Sequence, residues 1–203
     1  MAARPTLVLA SANPDKIAEL VELLGDQFEI VPRPTDLAET VEDADTLEGN
    51  AIKKATEVAN HVGGLALADD TGLFVDALDG KPGVFTARYA GPDASYADNV
   101  DKLLAELDGV DEAERTASFR TVLALIGSDG SGLTAEGAVD GLIAESRRGS
   151  RGFGYDPVFQ PIEDRCGRTF SEMSLDEKGE LGHRGRALAS LQTALAQTDF
   201  LKL

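Results

Sequence analysis

The stretch Leu65-Ala66-Leu67-Ala68-Asp69-Asp70-Thr71-Gly72-Leu73-Phe74-Val75 decides how the chain folds. Its first four residues read as the end of a buried strand, and Leu73-Phe74-Val75 as the start of another. Between them stand two adjacent carboxylates, a hydroxyl and a glycine. Asp and Gly are common turn residues, so on its own Asp69-Asp70-Thr71-Gly72 reads as a polar turn. The other reading places a pair of acids at a strand end, where open α/β sheets gather their chemistry. The flanking sequence has to separate the two.

Toward the N-terminus, Thr6 to Ala10 reads as a buried strand and Ser11 to Lys16 as a turn. Ile17, Leu20, Val21 and Leu24 follow at the i, i+3, i+4, i+7 spacing of an amphipathic helix, which Gly25 would stop. The turn therefore lies at a helix N-terminus, where backbone N–H groups and Lys16 favour an anion. It lacks the glycine pattern of a P-loop. Phe28 to Val31 predicts a second strand, ended by Pro32 and Pro34, and residues 36–45 form an acidic loop. A helix is expected from about Leu47 to Val62, capped by Thr46, with Ala51, Ile52, Ala55, Val58, Ala59 and Val62 inward. Asn50 and Lys54 lie one turn apart on it and can point the same way.

Toward the C-terminus, residues 78–91 are rich in glycine and proline and read as a shaped loop carrying Arg88. A helix is expected over 95–107, with Val100, Leu103, Leu104 and Leu107 apolar. Residues 117–126 and 133–145 read as a hairpin around the turn at 128–132, with Gly137 and Gly141 as bulge sites. Arg147 to Pro157 then sets three arginines and three glycines around Phe153 and Tyr155. That composition suits an anion beside a flat ring. Val158-Phe159 is a short strand. Ser174 to Lys178 has the form of a capping box. Gly182-His183-Arg184-Gly185-Arg186 opens a last helix with Leu188, Leu191 and Leu195 inward, and His183 there is a candidate anion or carbonyl contact.

The whole chain sets bounds on function. Its 203 residues suffice for one large domain or two packed lobes, and 42% hydrophobic content allows a sizeable core. A net charge of −17 repels nucleic-acid backbones. No run is long enough for a membrane span, and the first residues carry no signal-peptide core. The single cysteine, Cys166, rules out an internal disulfide and has no obvious base beside it. Together these features predict a cytoplasmic protein that binds neither nucleic acid nor membrane.

Several of these segments, in this order, resemble one family, the inosine triphosphate pyrophosphatases with the bacterial dITP/XTP pyrophosphatases. The matching stretches are residues 10–19, 46–55, 68–73, 80–91 and 152–159, with Lys178 and His183-Arg184. The resemblance implies a mixed α/β fold, with a long central sheet, flanking helices and two lobes around a substrate cleft, built as one domain over 1–203. It implies Mg²⁺-dependent hydrolysis of ITP, dITP or XTP to the monophosphate and pyrophosphate by a homodimer. By that resemblance Asp70 is general base and metal ligand, Asp69 its supporting carboxylate, and Glu42 completes the metal site. Ser11, Ala12, Asn13, Pro14, Asp15 and Lys16 cradle the phosphates with Lys54, and Thr71 touches the substrate. Phe153, Gly154, Tyr155 and Asp156 hold the base, while Lys178, His183 and Arg184 read it. Three positions depart from the family pattern: Thr71 for serine, Gly49 for glutamate and Gly182 for serine. The competing readings are a pyrophosphatase of different base preference and a nucleotide-binding regulator without turnover.

Overall fold

A computed structural model describes residues 4–198 and residue 200. In chain order the main elements are β1 (Thr6–Leu9), α1 (Pro14–Leu24), β2 (Glu29–Val31), α2 (Leu47–Val62), β3 (Leu65–Val75) and β4 (Pro82–Gly83). They continue with α3 (Tyr96–Glu106), β5 (Thr116–Ile126), β6 (Gly132–Ile143), β7 (Phe159–Pro161), α4 (Leu175–Leu181) and α5 (His183–Ala196). The strands form one mixed sheet in the order β2-β1-β3-β5-β6-β7, with β4 paired to β3. β1 runs parallel to both β2 and β3, whereas β4 and β7 pair antiparallel with β3 and β6. The expected α/β fold with a central mixed sheet is thus present. No helix among the described residues is long and apolar enough to cross a membrane.

The chain divides into two compact units. One comprises residues 1–70, 121–137 and 186–203, the other 71–120 and 138–185. The first unit packs Leu7, Leu9, Leu20, Leu24, Phe28, Leu67, Leu123, Leu125, Leu188 and Leu191 into its core. Apart from Phe28 these side chains are aliphatic, as expected where parallel strands are covered by helices. The second unit buries Leu73, Val75, Val100, Leu103, Leu107 and Ile143 around an aromatic group of Phe119, Tyr155, Phe159 and Phe170. Phe159 lies 5.2 Å from both Phe119 and Phe170, edge-on to the first and stacked on the second.

The central stretch differs from its sequence reading. Asp69-Asp70-Thr71-Gly72 is neither a turn nor the gap between two strands; β3 runs unbroken through it. Asp is a poor strand former because its short polar side chain seeks turns or solvent. Here both carboxylates are buried and each meets a lysine, so the strand continues at no cost in unpaired charge. Gly72 is also not a turn residue. A Cβ there would stand 2.8 Å from the Gly83 carbonyl and from the Phe74 ring, so the missing side chain lets β4 close onto β3. A smaller correction concerns α2: Ile52 faces solvent, while Asn50 and Lys54 take buried positions on the inner face.

Candidate active site

Six polar side chains converge within the first unit. β1 ends at Leu9, residues 10–13 connect it to α1, and the expected turn is already helical from Pro14. Asn13 caps that helix: its Oδ1 accepts from the N–H groups of Asp15 at 3.0 Å and Lys16 at 3.3 Å. Ser11 Oγ accepts from the Asn13 N–H at 3.2 Å, which folds the connection back on itself. Ala12, Pro14 and Asp15 are exposed. Lys16 reaches from the first turn to Asp69 Oδ2, 3.2 Å away.

α2 approaches β3 from its own N-terminal half. Thr46 caps it through the Gly49 N–H, as the sequence predicts. At Gly49 a Cβ would lie 2.9 Å from Ala44 Cβ, so the glycine lets the acidic loop close on the helix. That accounts physically for one departure from the family pattern. Asn50 and Lys54 point inward from successive turns. Lys54 Nζ donates to the Asp69 carbonyl at 2.6 Å, Glu42 Oε1 at 2.7 Å and Asp70 Oδ1 at 3.0 Å. Asn50 Nδ2 donates to Asp70 Oδ2 at 3.2 Å, and its Oδ1 accepts from the Ala44 N–H at 3.0 Å.

The electrostatics of this cluster are uneven. Burial pushes the Asp70 carboxyl above the usual carboxylate range; Lys54 opposes this, Glu42 reinforces it, and Lys16 opposes it. Burial also works against the charge on Lys54, yet Asp70, Asp69 and Glu42 together hold its ammonium above the ordinary lysine value. The cluster therefore keeps a firmly charged lysine next to a carboxylate that binds protons more readily than usual. Glu42 and Asp70 also aim their oxygens at one point, both within 3.0 Å of the same ammonium. The Lys54 ammonium occupies that point, so Mg²⁺, which keeps several waters and uses few protein ligands, would be held by the two carboxylates beside the lysine rather than in its place. No group of three or more His, Cys, Asp or Glu among the described residues has metal-holding geometry.

The second unit gathers a different set. Lys178, in the middle of α4, donates to Asp156 Oδ2 at 2.7 Å, and both side chains are almost fully buried. Asp156 Oδ2 also accepts from the Phe153 N–H at 2.8 Å and so closes the loop on itself. Gly152 makes that closure possible: its φ is +71°, and a Cβ would collide with Asp156. The Phe153 ring carries two cations, with Lys178 Nζ 4.8 Å and the Arg184 guanidinium 5.7 Å from its centroid. Arg184 also donates to Thr71 Oγ1 at 3.2 Å. His183, buried, lies flat on Phe119, with centroids 4.2 Å apart and planes within 16°. At Gly182 a Cβ would lie 2.5 Å from the Lys178 carbonyl, so the glycine accommodates the tight passage from α4 to α5.

Other residues singled out from the sequence have structural partners. Tyr155 is in the core, its hydroxyl donating to the Thr86 carbonyl at 3.0 Å. Arg147 pairs with Asp101, Arg148 with Glu172, and Arg151 donates to the Met173 carbonyl. The arginines flanking the aromatic loop have partners in their own chain. Cys166 is a free, exposed thiol. Tyr96 went unnoticed in the sequence; its ring stands 5.8 Å from Phe153. No linear pattern links a residue at the start of α3 to one fifty-seven positions later.

The family model described as the Ham1 family matches residues 7–194. The chain is 47% identical over 192 residues to a dITP/XTP pyrophosphatase of Geobacter sulfurreducens, covering 93% of this chain and 96% of that protein. It is likewise 47% identical over 196 residues to a dITP/XTP pyrophosphatase of Methylococcus capsulatus, covering 95% and 96%. Among solved structures, a HAM1 protein from Coxiella burnetii superposes with a TM-score of 0.84 at 40% identity, over 96% of this chain and all of that one. With one family model spanning almost its whole length, the chain belongs to the Ham1 family.

Proposed function

We propose that the protein hydrolyses nucleoside triphosphates bearing non-standard purines (ITP, dITP, XTP) to the monophosphate and pyrophosphate. Sequence relatives carry the name of that activity, and the paired carboxylates and lysines of the first unit carry the mechanism. Lys16, Lys54 and the N-terminus of α1 hold the phosphates. Asp70 takes a proton from water as its oxygen bonds the α-phosphorus; the α–β bridging oxygen then leaves with pyrophosphate. In the metal-free protein, burial holds the Asp70 carboxyl above the usual carboxylate range. Asp69 holds Lys16 in place. Asp70 and Glu42 would hold Mg²⁺, which when bound neutralises phosphate charge and makes a bound water more acidic.

In the second unit, Phe153 offers a ring face to the base, while Lys178, His183 and Arg184 supply hydrogen-bond donors. Hypoxanthine and xanthine present an oxo acceptor at C6, whereas adenine presents an amino donor there. Donors matched to an acceptor are left unpaired by adenine, and such mismatches discriminate strongly. Thr71 preserves the hydroxyl that the family more often supplies from serine. A regulator without turnover is disfavoured, because Asp69, Asp70 and Glu42 repel a triphosphate unless a cation intervenes. The same reading makes the protein a cytoplasmic homodimer, and equilibrium sedimentation can check the dimer.

The deciding experiment incubates the protein with Mg²⁺ and ITP, dITP, XTP, GTP or ATP and identifies the products. Pyrophosphate and inosine or xanthosine monophosphate are expected. Orthophosphate release would sink the mechanism, and equal rates on ATP and ITP would sink the base assignment.

A further inference from the structure

Glu42 lies in a segment, residues 36–46, that contains neither helix nor strand. Backbone ladders therefore cannot hold it, and side chains must. Arg33 donates to the Leu37 and Ala38 carbonyls, and the other side-chain partners come from one face of α2. Lys53 Nζ donates to the Val41 carbonyl at 2.9 Å and to Asp43 Oδ1 at 2.7 Å, the residues on either side of Glu42. Thr40 donates to Glu57, Asp36 pairs with His61 at 3.3 Å, and the Ala44 N–H donates to Asn50. Positions 50, 53, 57 and 61 are three or four apart, so they form one stripe along the helix. The segment runs antiparallel to that stripe, meeting it contact by contact from His61 back to Asn50.

Lys53 stands out because one ammonium grips both neighbours of Glu42. Gripping both neighbours fixes the backbone at Glu42 and leaves only its own side-chain torsions free. A segment ordered beforehand loses less entropy when it binds a ligand. We propose that Lys53, seconded by Glu57, is a positioning residue that presents Glu42 to the metal and so sets the affinity for divalent cations. This rests on the reading of Glu42 as a metal ligand. Lys53 and Asp43 are both substantially solvent-exposed, so their ion pair contributes little to global stability. That separates positioning from a merely structural role.

The test measures Mn²⁺ binding to the full chain from the loss of the free-ion electron-spin-resonance signal. Hydrogen exchange over residues 38–46 and the melting temperature are recorded alongside. Lys53→Ala is expected to weaken Mn²⁺ binding about tenfold, by analogy with other groups that orient metal ligands. It should also speed exchange across 38–46 while leaving the melting temperature nearly unchanged, and Lys53→Arg should restore most of both. Unchanged Mn²⁺ affinity in Lys53→Ala, beside a clear loss in Glu42→Gln, overturns the positioning role alone. Unchanged affinity in Glu42→Gln overturns the metal-ligand reading and the inference with it. Equal losses in Lys53→Ala and Lys53→Arg, accompanied by a lower melting temperature, assign Lys53 to stability instead.

Discussion

Each unit of this protein buries one lysine–aspartate pair, and the two pairs are built for different work. Lys54 and Asp70 meet at 3.0 Å, Lys178 and Asp156 at 2.7 Å, with all four side chains largely withdrawn from solvent. Around the first pair the acids outnumber the bases: Asp69, Asp70 and Glu42 face Lys16 and Lys54. That imbalance suits a further cation, and burial, reinforced by Glu42, makes Asp70 readier to accept a proton in the metal-free protein. Around the second pair the balance is reversed. Asp156 is used up by Lys178 and the Phe153 N–H, while Arg184 and His183 add donors beside aromatic rings. On the proposed function, the same two residue types make a proton- and metal-handling site in one setting and a clamp on a recognition loop in the other. The surrounding charge, rather than the pair, decides which.

The largest expected effect breaks the first pair's chemistry without breaking its fold. Asp70→Asn keeps the size of the side chain and an oxygen for Lys54, loses the acceptor for Asn50, and removes the base. Turnover should fall about a thousandfold, the middle of the range for a lost general base. Nucleotide binding, measured at equilibrium, should survive. A variant that retains turnover would move the base elsewhere.

Next in size, removing each lysine compares the pairs directly. Lys54→Met and Lys178→Met each strand a buried carboxylate, and each should cost about 3 kcal/mol in urea unfolding. Divalent cations should tell them apart. Mg²⁺ should recover part of the loss in Lys54→Met, because the stranded acids converge on a cation position. It should recover none in Lys178→Met, whose acid is enclosed by its own loop. In that variant the preference for ITP over ATP should also shrink. Equal recovery in both would erase the distinction drawn between the units.

The two regions also differed in how well the sequence exposed them. The first unit's elements were legible because helix periodicity, the Thr46 cap and the glycine stops at Gly25 and Gly63 are local signals. The continuity of β3 was not, since a strand through Asp69 and Asp70 depends on lysines 53 and 16 residues away in the chain. The burial of Asn50 and Lys54 was hidden for the same reason: spacing gives a face, but only the partner carboxylates make that face the inner one. In the second unit, the arginine-rich composition of residues 147–157 suggested an anion site, but their partners are supplied by α3, Glu172 and Met173. The resemblance picked out Lys178, His183 and Arg184, which spacing alone could not connect to Phe153.

A smaller effect appears in pH dependence. In the metal-free protein the folded state binds the Asp70 proton more tightly than the unfolded chain does. Linkage then makes stability fall as pH rises from the ordinary aspartate value, about 3.9, to the raised value in the fold. Melting temperatures in chelator should show this decline in the parent protein and lose it in Asp70→Asn. Glu177 in the second unit runs the opposite way. Hydrogen bonding from the Ser174 backbone, chiefly, and from Arg168 and the Ser174 hydroxyl holds its carboxyl down at about 2. Its contribution is present above the ordinary glutamate value and lost as pH falls toward 2.

The smallest effect tests whether the clamp depends on the end of its helix. α4 has seven residues, too few to be stable through its own hydrogen bonds, and Lys178 is its fourth. Its start is fixed by a reciprocal box: Ser174 Oγ accepts from the Glu177 N–H at 3.2 Å, and Glu177 returns a bond to the Ser174 N–H at 2.8 Å. Ser174→Ala removes the first of these and leaves the second. The expected cost is about 1 kcal/mol, seen as a drop of roughly 2–4 °C in melting temperature. Because Lys178 is also held by Asp156, the ITP-over-ATP preference should fall only slightly, far less than in Lys178→Met. If Ser174→Ala erodes the preference as much as loss of the lysine does, the cap rather than the Asp156 pair positions the donor.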